Sequence, residues 1–369
     1  MLQMFTDGAG IQWDRLKAMG DPFIEINKII NWEIFRKPIE DAIRSTTDKS
    51  KGGRPPWDAI LMFKIVMLMA WHGLSYKQAQ YQINNRLDFM RFLGVELGAK
   101  LPDENTIWDF KEALREHELE RKLFELFNVT LASHGIAVSE GKIVDASFVE
   151  VPRRRVIKES EVKNAEQLLE NPKVSVTLEA PKEPNADYIH VIANDEKTKH
   201  ILSQIDFDAR FTKKGDQWYF GYKDHAVVCP VTKMIIGYDV TSAETPDCKV
   251  FLKFIDENTA SVWADSAYMA EDIIKKLREI NPNISINICS RAYRNKPLTD
   301  EQKQENNLIS KIRARCEHVF GYMTMSMAGM KLNCIGIDRA RRDIGLKNLG
   351  YNLRRLVTLS RLKKQTAPV

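Results

Sequence analysis

KIVDASFVEV, residues 142 to 151, decides the architecture of this chain. Apolar and polar residues alternate through it, and Ile143, Val144, Val149 and Val151 are β-branched. That is the pattern of a strand with one buried face. Upstream, as far as SHG (133 to 135), residues 57 to 135 read as all-helical. Downstream, strands and helices interleave. QWYFGYKDHAVVCP (217 to 230) and KMIIGYDVTSA (233 to 243) predict two antiparallel strands joined by a turn around Pro230. A helix fits DCKVFLKFIDEN. SVWADSAY (261 to 268) predicts a short strand running into a loop, MAEDIIKKLREI (269 to 280) a helix, and ISINICS (284 to 290) a strand. A long helix covers roughly 299 to 326 and a basic one roughly 344 to 364. The order strand, strand, strand, helix, strand, helix, strand, helix, helix is that of a mixed α/β sheet with helices on its faces.

The flanking regions divide the chain further. Residues 1 to 45 carry Phe23, Ile26, Ile29, Ile30, Trp32 and Phe35 in short helical patterns. TTDKSKGGRPP (46 to 56) is polar, has two glycines and ends in two prolines, so it reads as a linker. ILMFKIVMLMAW (60 to 71) holds Lys64, is too short to span a bilayer, and reads as a buried helix. Ser75 caps a helix after Gly73, and Asp103 follows Pro102 at a second helix start. Helix, short turn, capped helix is compatible with a helix-turn-helix DNA reader, although the pattern alone favours a plain helical bundle. The expected division is an N-terminal helical segment (1 to 50), a helical domain (51 to 136) and an α/β domain (137 to 365). The last contains an insertion or long loop at about 152 to 215.

Composition sets wider bounds. The chain has 369 residues, 44% of them apolar, and a formal charge of +5. A mildly basic chain is compatible with nucleic acid without demonstrating it. Cys229, Cys248, Cys289, Cys316 and Cys334 form no CxxC pair, which argues against a zinc ribbon or a disulfide framework. They read as reduced thiols in a cytoplasm. MLQMFTDGAG shows no signal peptide. Trp13, Trp32 and Trp57 read as core or interface residues.

Three carboxylates stand out. Asp145 lies in the first strand, Asp265 at the C-terminal end of SVWAD, where α/β folds place ligands, and Glu317 on the long helix. Ile309, Ile312, Cys316, Val319, Phe320 and Met323 form that helix's apolar face; Asn306, Ser310, Arg313 and Glu317 follow one another along the adjacent one. Three acids together repel unless a cation compensates them. Mg²⁺ takes oxygen ligands, and two such ions roughly 3.5–4 Å apart serve phosphodiester chemistry. Arg313 then orients Glu317 or a nearby phosphate. The plainer alternative is an i,i+4 surface pair, with Asp145 an ordinary strand residue.

The motifs together resemble the DDE transposases of bacterial insertion sequences, most closely the IS5 type within the IS4-like group, over nearly the whole length. VDASFVEVPRR resembles the first aspartate motif and VWADSAY the second. DARFTKKGDQWYFGYKDH resembles the segment leading into the second strand. YRNKPLTDEQKQENNLISKIRARCEHVFGYM resembles the glutamate region, with Arg313 and Glu317 as its arginine and glutamate. GRPPWDAILMFKIVMLMAWHGLSYKQAQ resembles the N-terminal helical domain. The resemblance implies an RNase H-like core in which Asp145, Asp265 and Glu317 are ligands of two Mg²⁺ ions, with Mn²⁺ as a substitute and Arg313 assisting. It implies an enzyme that cuts DNA at element ends and joins them to target DNA. Pairing two ends implies at least a homodimer on double-stranded DNA. Where many relatives carry a tyrosine before that arginine and a lysine after that glutamate, this chain has Lys311 and Met323. A catalytically idle DNA-binding regulator is the alternative; the intact set of three acids speaks against it. An RNase H-like nuclease that cuts without joining is another.

Basic residues supply the expected DNA contacts. Arg153, Arg154 and Arg155 follow Asp145 closely and fit the phosphates beside the scissile bond, or a solvated loop. Lys223, Arg291, Arg294, Lys296 and Arg315 lie in or beside the matched motifs. From Arg339 to Lys364 there are nine basic residues and one acid, Asp343. Leu346, Leu349, Leu353, Leu356 and Leu359 recur at helical spacing there, which predicts a helix packed by its leucines with a basic outer face. His225 reads as a structural or positioning residue rather than a metal ligand.

Overall fold

The computed structural model describes residues 2–46, 55–133, 136, 141–152, 174–176, 191–193, 206, 208–214, 216–292 and 297–366. Eight helices come first: α1 (Leu2–Ala18), α2 (Pro22–Ile29), α3 (Arg36–Thr46), α4 (Ala59–His72), α5 (Tyr76–Asn85), α6 (Leu87–Leu93), α7 (Glu104–Glu116) and α8 (Leu119–Ser133). Their ends are where the capping residues put them. Ser75 accepts from Gln78 N while the Gln78 side chain accepts from Ser75 N, a reciprocal box that opens α5. Asp103 accepts from Thr106 N at the start of α7. Gly73 closes α4 at φ +61°, where a Cβ would also fall 2.6 Å from that of Ala328.

α4 is apolar nearly all round because it is buried nearly all round. Its one lysine, Lys64, donates to Phe92 O and lies 5.3 Å from the Trp32 ring centre. Phe23, Trp32, Phe35, Phe63, Trp71 and Phe92 form an aromatic core here. The segment before the linker therefore shares its core with the helices after it. That core continues into the second half of the chain: Trp71 Nε1 donates to Gly350 O.

The second half holds β1 (Gly141–Glu150), β2 (Val174–Val176), β3 (Val191–Ala193), β4 (Arg210–Lys214), β5 (Gln217–Val228), β6 (Ile235–Ser242), α9 (Cys248–Phe251), β7 (Ser261–Ala264), α10 (Glu271–Ile280), β8 (Ser285–Ile288), α11 (Asp300–Ser326) and α12 (Ile337–Thr366). β5 runs antiparallel to β1 and to β6, whereas β7 runs parallel to β1 and to β8. The order β6-β5-β1-β7-β8, three antiparallel strands continued by two parallel ones, is the RNase H-like mixed sheet. β4 adds to the first half of β5, and β2 and β3 pair with each other. One sheet face, with Ile143, Tyr222 and Ala226, packs into the large core with α11 and α12. The other, with Val144, Val227 and Val262, packs on Phe251, Ile273 and Leu277 from α9 and α10.

Three expectations need correction. The helix expected over DCKVFLKFIDEN is only α9 and a single 3-10 turn, Leu252–Phe254. The last helix starts at Ile337, not near 344. Its basic outer face is interrupted: Arg342 and Lys347 are buried with the leucines, while Arg339, Arg341, Arg354 and Arg355 are half-buried and Arg361 and Lys363 exposed. α12 threads between the helical part and the sheet, so most of its circumference is core.

Candidate active site

β1 and β7 pair in parallel as Gly141↔Ser261, Lys142↔Val262 and Ile143↔Trp263. Two residues further along each chain, that register brings Asp145 level with Asp265. Parallel in-register residues share a face, so this register, continued two residues, puts Asp145 and the first residue beyond β7, Asp265, at neighbouring positions on one sheet face. Both are pinned from below. Asp145 Oδ1 accepts from Ala146 N, and Asp265 Oδ1 accepts from Ala267 N, capping the short 3-10 turn Ser266–Tyr268. The chain leaves the sheet at Asp265, which places its side chain at the strand's open C-terminal end.

α11 lies across the same face. Its buried side, Ile309, Cys316, Val319 and Met323, anchors it on the sheet. Thr299 opens it with a reciprocal capping box, and Asn306 ties it to the end of β8 through Ser290 N and O. Glu317 is exposed on the flank next to that buried side. Arg313, one turn earlier, turns inward: its Nη2 lies 3.5 Å from Asp145 Oδ2. Among the described residues no ion pair joins Arg313 to Glu317, so the simple i,i+4 surface pair is not what forms.

Two buried groups lie in the field of these acids. The Tyr268 hydroxyl has no hydrogen-bond partner among the described residues; burial, then Asp247, Asp145 and Asp265, push its pKa upward. The Cys316 thiol is held well above its ordinary range by burial first, then by Asp145 and Asp224, with Glu317 adding to them. One hydroxyl thus senses both aspartates, and one thiol senses Asp145 and Glu317. Cys316 stays protonated and inert beside the site.

Among the described residues no three His, Cys, Asp or Glu side chains are close enough to hold a single ion. The paired aspartates nevertheless form an all-oxygen donor set, and Mg²⁺ is commonly held by one or two carboxylates plus waters. The donor chemistry of Asp145 and Asp265 fits such a cation, and these two carboxylates would hold it.

Behind Asp145, on the opposite face, lies a closed polar cluster. Lys223 Nζ donates to Asp247 Oδ1 at 2.9 Å and to Thr245 O at 2.7 Å, and sits 5.5 Å from the Phe148 ring centre. Lys223 is therefore buried inside the domain, and the expectation that it meets DNA is corrected: its charge is already spent on Asp247. His225 is 2.9 Å from Thr241 Oγ1 and 3.9 Å from Asp247, and burial lowers its pKa to about 4, so it is a neutral structural residue. On the α12 side, Asp224 is wholly buried and accepts from Asn348 Nδ2. Burial pushes its pKa up to about 7. Asp224 Oδ2 and Asn348 Oδ1 are both buried without partners, and a proton on the acid is the donor they lack.

Of the remaining basic candidates, Arg291 is exposed just beyond β8, and Arg315 is half-buried and donates to Pro230 O. Arg153, Arg154, Arg155, Arg294 and Lys296 lie outside the described residues. Sequence reading missed one ionic cluster altogether. Glu112 of α7 accepts from Arg115, Arg339 and Arg342, while Asp343 pairs with Lys111 and Arg342, each at 2.8 Å. The lone acid in the basic run, Asp343, was the available signal: an acid amid arginines marks a buried pair more readily than a solvated face.

Residues 137–353 match the family model described as Transposase DDE domain, and residues 11–113 match that described as Transposase domain (DUF772). Among solved structures, a piggyBac transposase synaptic complex with hairpin DNA is similar at a TM-score of 0.48 and 11% identity, covering 94% of this chain and 76% of that one.

Proposed function

The chain belongs to the Transposase DDE domain family, and from that premise we propose that it binds the terminal inverted repeats of an insertion sequence of the IS5 type. It cuts DNA at the element ends and joins those ends to target DNA. The observation that supports this reading is the parallel register of β1 and β7, which runs toward Asp145 and Asp265 on one sheet face, together with the packing of α11, the helix that bears Glu317, on those strands. Double-stranded DNA is the partner, and bringing two ends together requires at least two copies of the chain.

Each residue has a role in this reading. Asp145 and Asp265 present adjacent carboxylates at a strand end open to a long polymer. Glu317 completes the acidic group from the other side. A Mg²⁺ ion bound there, alone or in a pair, supplies activation of the attacking oxygen and stabilisation of the leaving one. Arg313 holds Asp145 in place and is close enough to the site to meet a DNA phosphate. The neutral His225 and the Lys223–Asp247 pair fix the strand beneath.

The test is a labelled duplex carrying the element's own terminal repeat, incubated with the protein and a target plasmid. Mg²⁺-dependent nicking at the repeat end, followed by joining to the plasmid, is the expected result. Nicking without joining would identify a nuclease. Tight repeat binding without cleavage in Mg²⁺ or Mn²⁺ would identify a DNA-binding regulator with an idle site.

A further inference from the structure

A cavity of about 490 Å³ opens where the helical part meets the sheet part, between α4, α5 and α7 on one side and α12 with residues 331–335 on the other. It is separate from the carboxylate group, lying past the far end of β1 at Pro152. Lys111, Lys331, Arg339, Arg342 and Lys347 line it with Asp206 and Asp343, and every one of these cations but Lys347 has a carboxylate partner: Asp343 for Lys111 and Arg342, Glu112 for Arg339 and Arg342, and Glu150 for Lys331 at 3.7 Å. Both acids are already engaged. Asp206 accepts from the Tyr222 hydroxyl at 2.7 Å and from the N–H groups of Asp208 and Ala209. Asp343 is paired with Lys111 and Arg342.

Lys347 is the odd member. It is 5% exposed, its Nζ donates to Gly329 O, and among the described residues no carboxylate lies within ion-pair distance of it. An ammonium withdrawn from water without a counter-charge is costly. Burial accordingly lowers its pKa to about 8. An anion entering the cavity would relieve that cost. At the same cavity Trp108 is 43% exposed, a flat apolar ring of the kind on which a nucleobase stacks.

We propose that this cavity is a phosphate-binding site, taking a phosphate group carried by a nucleotide or a DNA strand, with Lys347 as its direct partner and the Glu112-paired Arg339 in its wall. Bound phosphate would tie the two halves of the chain together, since its contacts come from the seam between them.

The experiment compares thermal unfolding of the full chain in chloride with that in inorganic phosphate, deoxyadenosine 5′-monophosphate or a short single-stranded oligonucleotide, all at one ionic strength. The same series is run on Lys347→Met, which keeps the aliphatic stem and removes the charge, and on Arg339→Gln, at a more exposed position, in case the first fails to fold. A phosphate ligand should raise the midpoint of the wild type, as any ligand of the native state does. The variants should bind it roughly tenfold more weakly. A shift with phosphate or the nucleotide identifies a free phosphate ligand; a shift confined to the oligonucleotide and lost in the variants identifies a DNA strand. Equal shifts in wild type and variants, or none in any arm, overturn the proposal. The inorganic phosphate and nucleotide arms need no element DNA, so they stand or fall independently of the transposase reading.

Discussion

Arg313 of α11 reaches across to β1, with its Nη2 3.5 Å from Asp145 Oδ2, both side chains mostly buried. The arginine one turn before Glu317 thus serves the first aspartate and couples helix to strand. Arg313→Lys should fold normally and lose strand cleavage by about a hundredfold, because a point charge does not reproduce a planar fork. Single-turnover nicking beside circular dichroism checks this. Wild-type cleavage by the lysine variant would reduce Arg313 to a packing residue.

The cluster of Glu112, Arg342 and Asp343 makes a stability prediction. Arg342 is 1% exposed and bonds both acids. Arg342→Leu leaves two buried carboxylates short of a partner and should cost about 3–5 kcal/mol in urea unfolding. The acids have a pH signature as well. Burial opposes ionisation, but the arginines and Lys111 outweigh it and hold Glu112 and Asp343 down at about 2. Lowered carboxylates contribute stability above their ordinary values that is lost as pH falls through the folded ones. The wild type should therefore weaken from about pH 4 toward pH 2, and the variant should weaken less.

Asp224 predicts the opposite slope. Its pKa is raised from 3.8 to about 7, so between those values the folded chain holds a proton the unfolded chain lacks. That contribution is full below the unfolded pKa and disappears as pH rises through the folded one. Relative to Asp224→Asn, the wild type should lose up to roughly 4 kcal/mol between pH 4 and pH 8. Unfolding free energies measured across that range would refute the buried proton if the two proteins ran parallel.

The elements that build the carboxylate group were legible because local pattern determines them. Alternation predicts β1, the apolar stripe of Ile309, Cys316, Val319 and Met323 predicts α11, and caps at Ser75 and Asp103 mark helix starts. The register that pairs Asp145 with Asp265 was out of reach, because it depends on a parallel contact between strands far apart in sequence. So were the fates of the basic residues. Lys223, Arg342 and Lys347 look like surface charges in a string of letters. Their burial depends on which elements pack over them, and partners such as Asp247 and Glu112 lie on other elements.

The central claim is that Asp145, Asp265 and Glu317 act as one site on DNA. The most direct measurement is single-turnover cleavage of a terminal-repeat duplex by Asp145→Asn, Asp265→Asn and Glu317→Gln, with Asp247→Asn as a neighbouring acid on the other sheet face. Binding to the duplex is measured in parallel, and a chelator lane tests the divalent cation. The account predicts that each of the three variants binds the repeat and fails to cut it, that Asp247→Asn retains cutting, and that the chelator abolishes wild-type activity. Cleavage persisting in any one of the three would contradict it.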